Sequence, residues 1–542
     1  VLLIAEDRCD EFSDMCMREN CPHAVIGTLT ENEQLVVNDA EFDNSVVDMP
    51  MEMLLGKVPK MTRDVARLKR SDLALNLNGI ELEEAIYRVL RFPAVADKTF
   101  LIHIGDRTVG GLSVRDQFVG PWQVPVSDVA ITASGFESAT GEAMSMGERT
   151  PLATINAPAS GRMAVGEAVT NIAAAAIKDI GQIRLSANWM AAAGHPGEDA
   201  NLFDTVKAVG LDLCTALGIA IPVGKDSLSM RARWEDEQGE HQVVAPVSLI
   251  VTAFAPVTDV RRHLTPQLQA IGESSSLLLI DPSGGASRLG ASCLAQVYQR
   301  QGGTTPDLDE PAKLVNFFSA IQLLSNQGLL LAYHDRSDGG LLTTIAEMMF
   351  AGHLGASLRL AGSEMDLLAQ LFNEELGAVV QVADANRSAV DELLESCGVD
   401  WVEIGKVEAD NQLSIYNDDA LVVRIDRLDL QRAWSETTWR MQALRDNPET
   451  AREEYDRILD ADDPGLNVRV TFDPAEDIAA PFIGGVKPRI AILREQGVNS
   501  QYEMAAAFMR AGFTAVDVHM NDLITRRDSL ANYHGIVACG GV

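Results

Sequence analysis

Apolar and charged positions recur at helical spacing from Glu81 to Leu90, and Pro93 stops the run, so a helical connector is expected over 51–97. From 98 to about 258, strand-like runs at 99–104, 129–134 and 243–255 alternate with helical runs at 164–176 and 202–217, the pattern of an α/β or α+β domain. A second unit, from Ser276 to about Arg427, opens with the strand Leu277 to Ile280 and the turn Pro282 to Ala286. The charged, proline-bearing stretch from Asp446 to Pro488 reads as a helix and linker. Finally, the strand Arg489 to Leu493, the turn Gly497-Val-Asn-Ser500, the helix Gln501 to Ala511 and the strand Ala515 to His519 make the β-α-β opening of a doubly wound sheet.

The pattern also repeats. Cys21 to Gly27 runs on to Gln34 to Asp39, and Cys397 to Gly405 runs on to Gln412 to Asp418, with glycine and leucine eight positions apart in both. Residues 1–50 are therefore expected to finish an earlier copy of the domain that ends near 425. The opening Val1 to Asp7 has neither an initiator methionine nor the shape of a signal peptide. The last residues, Cys539 to Val542, follow an apolar strand into a glycine turn, and both ends are expected to cut through folded units.

A chain of 542 residues is too long for one core, and three to four domains are expected. The formal charge of -34 argues against a nucleic-acid partner or an anionic membrane surface, so any phosphate must be held locally by backbone N–H groups and metal ions; the acidity also serves solubility. The most apolar stretch, Val243 to Val257, is broken by Pro246 and Pro256 and is shorter than the ~20 residues a membrane span needs. The seven cysteines are scattered without a C-x-x-C pair, which fits a reducing cytoplasm better than a disulfide framework or a zinc site.

Candidate chemistry is concentrated in a few places. Glu167 and Asn171, four apart on a small-residue helix, could offer two oxygen ligands to one hard cation or be a polar pair at a domain seam. Asp128 stands at the mouth of an apolar strand, where a carboxylate is costly unless paired or exposed. Asp335 ends another apolar run, inside His334-Asp-Arg-Ser-Asp-Gly-Gly340 and ahead of the helix Leu341 to Phe350. That segment is either a magnesium–phosphate cradle with free N–H groups or an ordinary N-cap with a glycine turn. Polar turns at 115–117, 186–189, 194–199 and 224–227 are candidate substrate loops or plain structural turns. His195 and His334 have the best settings for acid–base work, yet neither receives a catalytic role.

Taken in order, Gly120-Pro-Trp-Gln-Val-Pro-Val-Ser-Asp128, Gly166-Glu-Ala-Val-Thr-Asn171, Ser186-Ala-Asn-Trp-Met190, Gly194-His-Pro-Gly-Glu-Asp199, Pro222-Val-Gly-Lys-Asp-Ser227, His334 to Gly340 and Leu371-Phe-Asn-Glu-Glu-Leu-Gly377 resemble the large single-chain form of phosphoribosylformylglycinamidine synthase. The resemblance covers essentially the whole chain. It implies an aminoimidazole ribonucleotide synthetase-like two-domain repeat: 1–50 ends the first copy, 51–97 connects, 98–262 and 263–425 are the second copy, and 426–487 is a helical linker. Residues 488–542 would then begin a class I glutaminase.

The implied reaction is ATP-dependent conversion of formylglycinamide ribonucleotide to its amidine, with glutamine-derived ammonia displacing an amide oxygen that ATP has activated as a phosphate ester. By the same resemblance, Asp128, Glu167, Asn171 and Asp335 match magnesium ligands, Ser127 and Ser337 match nucleotide contacts, and the nucleotide is ATP or a tightly held structural ADP. No catalytic residue is assigned. The first repeat and the rest of the glutaminase would lie outside the chain, Cys539 is not the glutaminase nucleophile, and the isolated chain is expected not to turn over. Two other readings stay open: a non-catalytic nucleotide-binding scaffold, and a selenophosphate or thiamine-phosphate type of enzyme, against which the glutaminase-like tail speaks.

Overall fold

The computed structural model describes residues 1–60, 62–68, 73–105, 107–108, 110–495 and 497–540. Two compact units form, one of residues 65–469 and one of 1–64 together with 470–542.

The larger unit is built on two sheets. The first has six strands in the order Ser113–Arg115, Ala130–Ala133, Gly141–Glu148, Ser248–Val257, Arg184–Met190 and Ala220–Ser227, antiparallel except for the last pair. Against it lies the helix Ala157–Ile172, started by Pro158 and by Asn156, whose side chain accepts the Ala159 N–H at 3.2 Å. Small residues let this helix come close. A Cβ on Gly147 would stand 2.0 Å from the Ala164 carbonyl oxygen, and one on Gly166 would stand 2.3 Å from Leu376.

The second sheet has seven strands, ordered Ala332–Asp335, Ala378–Ala383, Ser275–Ile280, Trp401–Glu408, Gly355–Leu360, Gln412–Asn417 and Ala420–Asp426. Its central strands, Ser275–Ile280 and Ala378–Ala383, are buried along their whole length. One apolar core runs from the first sheet into the second, joining Val251 and Ile172 to Phe317 and Val380. A second core packs the helices Leu82–Leu90 and Arg427–Arg445 onto the seven-stranded sheet through Ile86, Val89, Leu430 and Trp434.

Several expected elements differ. Residues 99–104 were expected as a strand, but a short helix, Thr99–Ile102, forms because the Asp97 carboxylate accepts both the Thr99 N–H at 2.8 Å and its hydroxyl at 2.6 Å. The connector holds only the helices Met51–Leu55 and Leu82–Leu90 rather than one helical run. The candidate turns 186–189 and 224–227 are strand, paired parallel from Ser186 opposite Val223 to Trp189 opposite Asp226. The run 243–255 divides at Pro246 into the strands Gly239–Val244 and Ser248–Val257, since proline cannot donate to the ladder. No helix among the described residues is long and apolar enough to cross a membrane.

In the smaller unit, three parallel strands lie in the order Thr514–His519, Arg489–Arg494 and Gly535–Ala538, with the helix Gln501–Arg510 between the first two in sequence. This is the start of a doubly wound sheet. Arg18, ending the helix Cys9–Arg18, pairs with Asp522 at 2.8 Å and Asp517 at 3.1 Å. The strands Gln34–Asp39 and Asn44–Pro50 form a hairpin whose register breaks at Val37/Asn38. The hairpin Gln412–Asn417 with Ala420–Asp426 breaks at the matching place, Ile415/Tyr416, and each turn has a left-handed aspartate, Asp43 (φ 48°) or Asp418 (φ 52°). The likeness stops upstream, where 401–408 is a strand and 21–30 is not. Gly541 and Val542 lie outside the described residues.

Candidate functional site

Three elements bring carboxylates together. Asp128 sits just before the strand Ala130–Ala133, Glu167 lies on the helix Ala157–Ile172, and Asp335 ends the strand Ala332–Asp335 of the other sheet. The Tyr333 hydroxyl, donating to the Thr170 carbonyl at 2.6 Å, ties that strand to the helix. Asp128 Oδ1 accepts from His334 Nδ1 at 2.7 Å and from the Asp335 N–H at 3.3 Å. Asp128, His334 and Asp335 are close enough to offer three ligand atoms within 4.8 Å of one another.

Both ring nitrogens of His334 are already engaged, the second by Glu347 at 2.8 Å. Burial alone would make the ring less basic, but Asp128 and Glu347 outweigh it and hold His334 well above its ordinary pKa, as an imidazolium. The oxygens Asp128 Oδ2 and Asp335 Oδ2 are buried without a partner among the described residues. Burial pushes the Asp335 carboxyl well above its usual range, Asp128 and Glu167 push the same way, and His334 opposes them.

Glu167 joins this group through its neighbours. It accepts the Glu148 N–H at 2.6 Å and the Ser337 hydroxyl, and Arg149 approaches to 3.8 Å. Burial raises its pKa and Arg149 opposes the rise. Asn171 lies one turn further along and donates to the Met146 carbonyl at 3.1 Å, and the Ser127 hydroxyl donates to Val129 O at 2.9 Å. The geometry thus gathers Asp128, Asp335, Glu167 and Ser337, whereas Asn171 and Ser127 turn their polar hydrogens to nearby backbone.

Two of the N–H groups at the start of the helix Gly340–Gly352, expected to be free, are taken. Gly339 N–H goes to Glu374 at 2.9 Å and Gly340 N–H to Ser337 O at 2.9 Å. Glu374 also receives the Cys293 N–H at 2.8 Å and Arg149 at 2.7 Å, with Asp338 3.1 Å from the same guanidinium. Next to it, Arg288 grips Glu375 at 2.6 and 2.9 Å. Sequence reasoning passed over Glu347, Arg149 and Arg288, and quoted Glu374 only within the motif Leu371 to Gly377, without a role. Only the Asn-Glu-Glu of 373–375 carried a signal, as adjacent acids in an otherwise apolar stretch. His195, by contrast, belongs to a structural turn in which Asp199 accepts the Gly194 N–H at 2.6 Å.

The donor set fits a hard cation. Two unpartnered buried carboxylate oxygens in one spot are costly, and magnesium, which prefers oxygen, relieves that cost. Glu148, adjoining Glu167, also lines a cavity of ≈ 1000 Å³ together with Thr150, Gln296 and Arg300.

Three protein-family models match the chain in succession. The FGAR-AT PurM_N-like domain covers 97–256, the C-terminal domain of AIR synthase related proteins covers 273–417, and the CobB/CobQ-like glutamine amidotransferase domain covers 487–542. These domains support the resemblance to phosphoribosylformylglycinamidine synthase. AIR synthase-like domains precede a CobB/CobQ-like glutamine amidotransferase domain. The carboxylates of the synthase-type site come from both matched synthetase domains, Asp128 and Glu167 from 97–256 and Asp335 from 273–417.

Among solved structures, PurLQS from Thermotoga maritima is 14% identical, with 65% of this chain and 51% of that one covered and a TM-score of 0.46. T. maritima PurL complexed with ADP is 14% identical over 64% of this chain and 51% of that one, with a TM-score of 0.46. The HypE–HypF complex is 16% identical over 55% and 93%, with a TM-score of 0.39. The chain spans about half the length of the PurL structures it matches.

Proposed function

We propose that residues 65–469 hold a magnesium–nucleotide, ADP or ATP, within a ligase that makes formylglycinamidine ribonucleotide from formylglycinamide ribonucleotide. The ammonia would be released from glutamine by the amidotransferase domain that begins at 487. The observation carrying this reading is the pair of unpartnered buried oxygens, Asp128 Oδ2 and Asp335 Oδ2, supplied by two different domains.

Asp128 and Asp335 would hold the cation directly, with Glu167 and Asn171 completing the oxygen set. The cation, when bound, would neutralise nucleotide phosphates. The chain's own groups do the rest. His334, gripped by Asp128 and Glu347, fixes the Asp128 carboxylate, and Ser337 fixes Glu167. Arg149, 3% exposed, balances the negative charge of Glu374 and Asp338 beside them.

A second reading, a structural nucleotide that braces the fold, is favoured by the engagement of His334 and Arg149, which leaves neither free for proton transfer. Under it the purified chain shows no glutamine- or ammonia-dependent ATP turnover, and that is the expected result. The nucleotide reading is tested by extracting bound nucleotide from the purified chain. Wild type retains ADP or ATP and Asp335→Asn loses it; equal nucleotide content in the two would overturn the ligand role of Asp335.

A further inference from the structure

A cavity of ≈ 480 Å³ opens between the helices Arg427–Arg445 and Pro448–Arg457, the segment 458–466 and the loop 121–125, which lies just ahead of Asp128 in sequence. Its size falls within the roughly 300–1,000 Å³ of small-molecule sites.

The walls are aromatic. Trp122 stacks on His353 with ring centres 3.5 Å apart, and Trp439 stacks on Tyr455 at 4.7 Å and 1°. With Trp434, three of the chain's six tryptophans face this one space. Burial and Arg427 lower the His353 pKa to about 3, so the ring beside Trp122 is neutral.

The polar lining is acidic. Among the described residues it contains the carboxylates of Asp97, Glu454, Asp460 and Asp463, no lysine, and a single arginine, Arg457, which Asp463 closes off at 2.6 Å. The lining residue Trp439 adds an unsatisfied donor, its buried Nε1–H, which has no acceptor among the described residues. A buried donor left unpaired is costly, so a ligand that supplies a lone pair there gains affinity.

We propose that this cavity binds a phosphate-free amino-substituted nitrogen heterocycle. The aromatic lining suits a planar π system, although Arg432 over Tyr455 at 3.5 Å and Arg452 over Trp439 at 5.1 Å already occupy faces of the stacked pair. Glu454 and Asp460, the lining carboxylates held by neither Thr99 nor Arg457, accept from exocyclic amino N–H groups and disfavour phosphate or carboxylate. The Trp439 N–H donates to a ring nitrogen, which a simple organic cation lacks. None of the residues lining this cavity is among the proposed magnesium ligands or nucleotide contacts.

The test is calorimetric titration of the full chain with adenine, in parallel with benzoate, which is planar but anionic. Adenine is expected to bind saturably and benzoate not at all. Trp439→Phe, which keeps the ring and removes the donor, should weaken adenine by about fivefold. Glu454→Gln should weaken it as well, and because Glu454 is half exposed this second variant is informative even if Trp439→Phe fails to fold. Absence of saturable heat at millimolar adenine, or unchanged affinity in both variants, overturns the proposal. Loss of nucleotide in Asp335→Asn with adenine binding intact would keep the two sites distinct.

Discussion

Asp335 and Glu167 are carboxylates whose burial favours their neutral forms, yet each stands beside another acid. Such a group holds a cation at the expense of the unliganded fold. Glu167→Ala should therefore lower the melting temperature mainly when magnesium and nucleotide are present, because a ligand that binds only the folded state adds stability by mass action. Equal losses with and without nucleotide would make Glu167 a structural residue. Arg149 poses the opposite case. It is 3% exposed and Glu374 2%, so Arg149→Met leaves a buried carboxylate without its counter-charge and should cost about 3–5 kcal/mol in urea unfolding. A cost below about 1 kcal/mol would mean that the N–H groups of Cys293 and Gly339 suffice for Glu374.

Among elements, the helix Ala157–Ile172 matters most, because it carries Glu167 and Asn171 and touches both sheets. Its closeness to the strand Gly141–Glu148 depends on Gly147, where a side chain would meet the Ala164 backbone 2.0 Å away. Gly147→Val should destabilise the larger unit by about 1–3 kcal/mol and weaken magnesium–nucleotide binding together, since helix and strand must part. Unaltered binding in a destabilised variant would show that the helix position does not set the site. The strand Ala332–Asp335 plays the matching part on the other sheet, held to the helix by Tyr333 and Thr170.

Across the whole molecule, the order of domains was legible because each rests on a period or a glycine turn: the strand before His334 to Gly340, the small-residue helix, expected over 164–176 and observed as Ala157–Ile172, and the β-α-β start after 488. Neighbouring detail was not. Residues 99–104 have the composition of a strand, and only the local carboxylate of Asp97 turns them into a helix. The turns 186–189 and 224–227 are polar strands whose pairing partner is more than thirty residues away, which no local pattern displays. At the site, four of the six expected residues cluster, because motifs bring strand ends and helix faces to one seam. Glu347 and Arg149 were invisible, since their partners, His334 and Glu374, are set by tertiary packing alone.

The central claim is that Asp128 and Asp335, far apart in sequence, share one cation that carries a nucleotide. Native mass spectrometry of the purified chain, with magnesium–ADP supplied, tests this most directly. The account predicts an adduct of one nucleotide plus magnesium on the wild-type chain and its loss from the double variant Asp128→Asn, Asp335→Asn. An adduct of equal abundance on both chains, or none on the wild type, would contradict it.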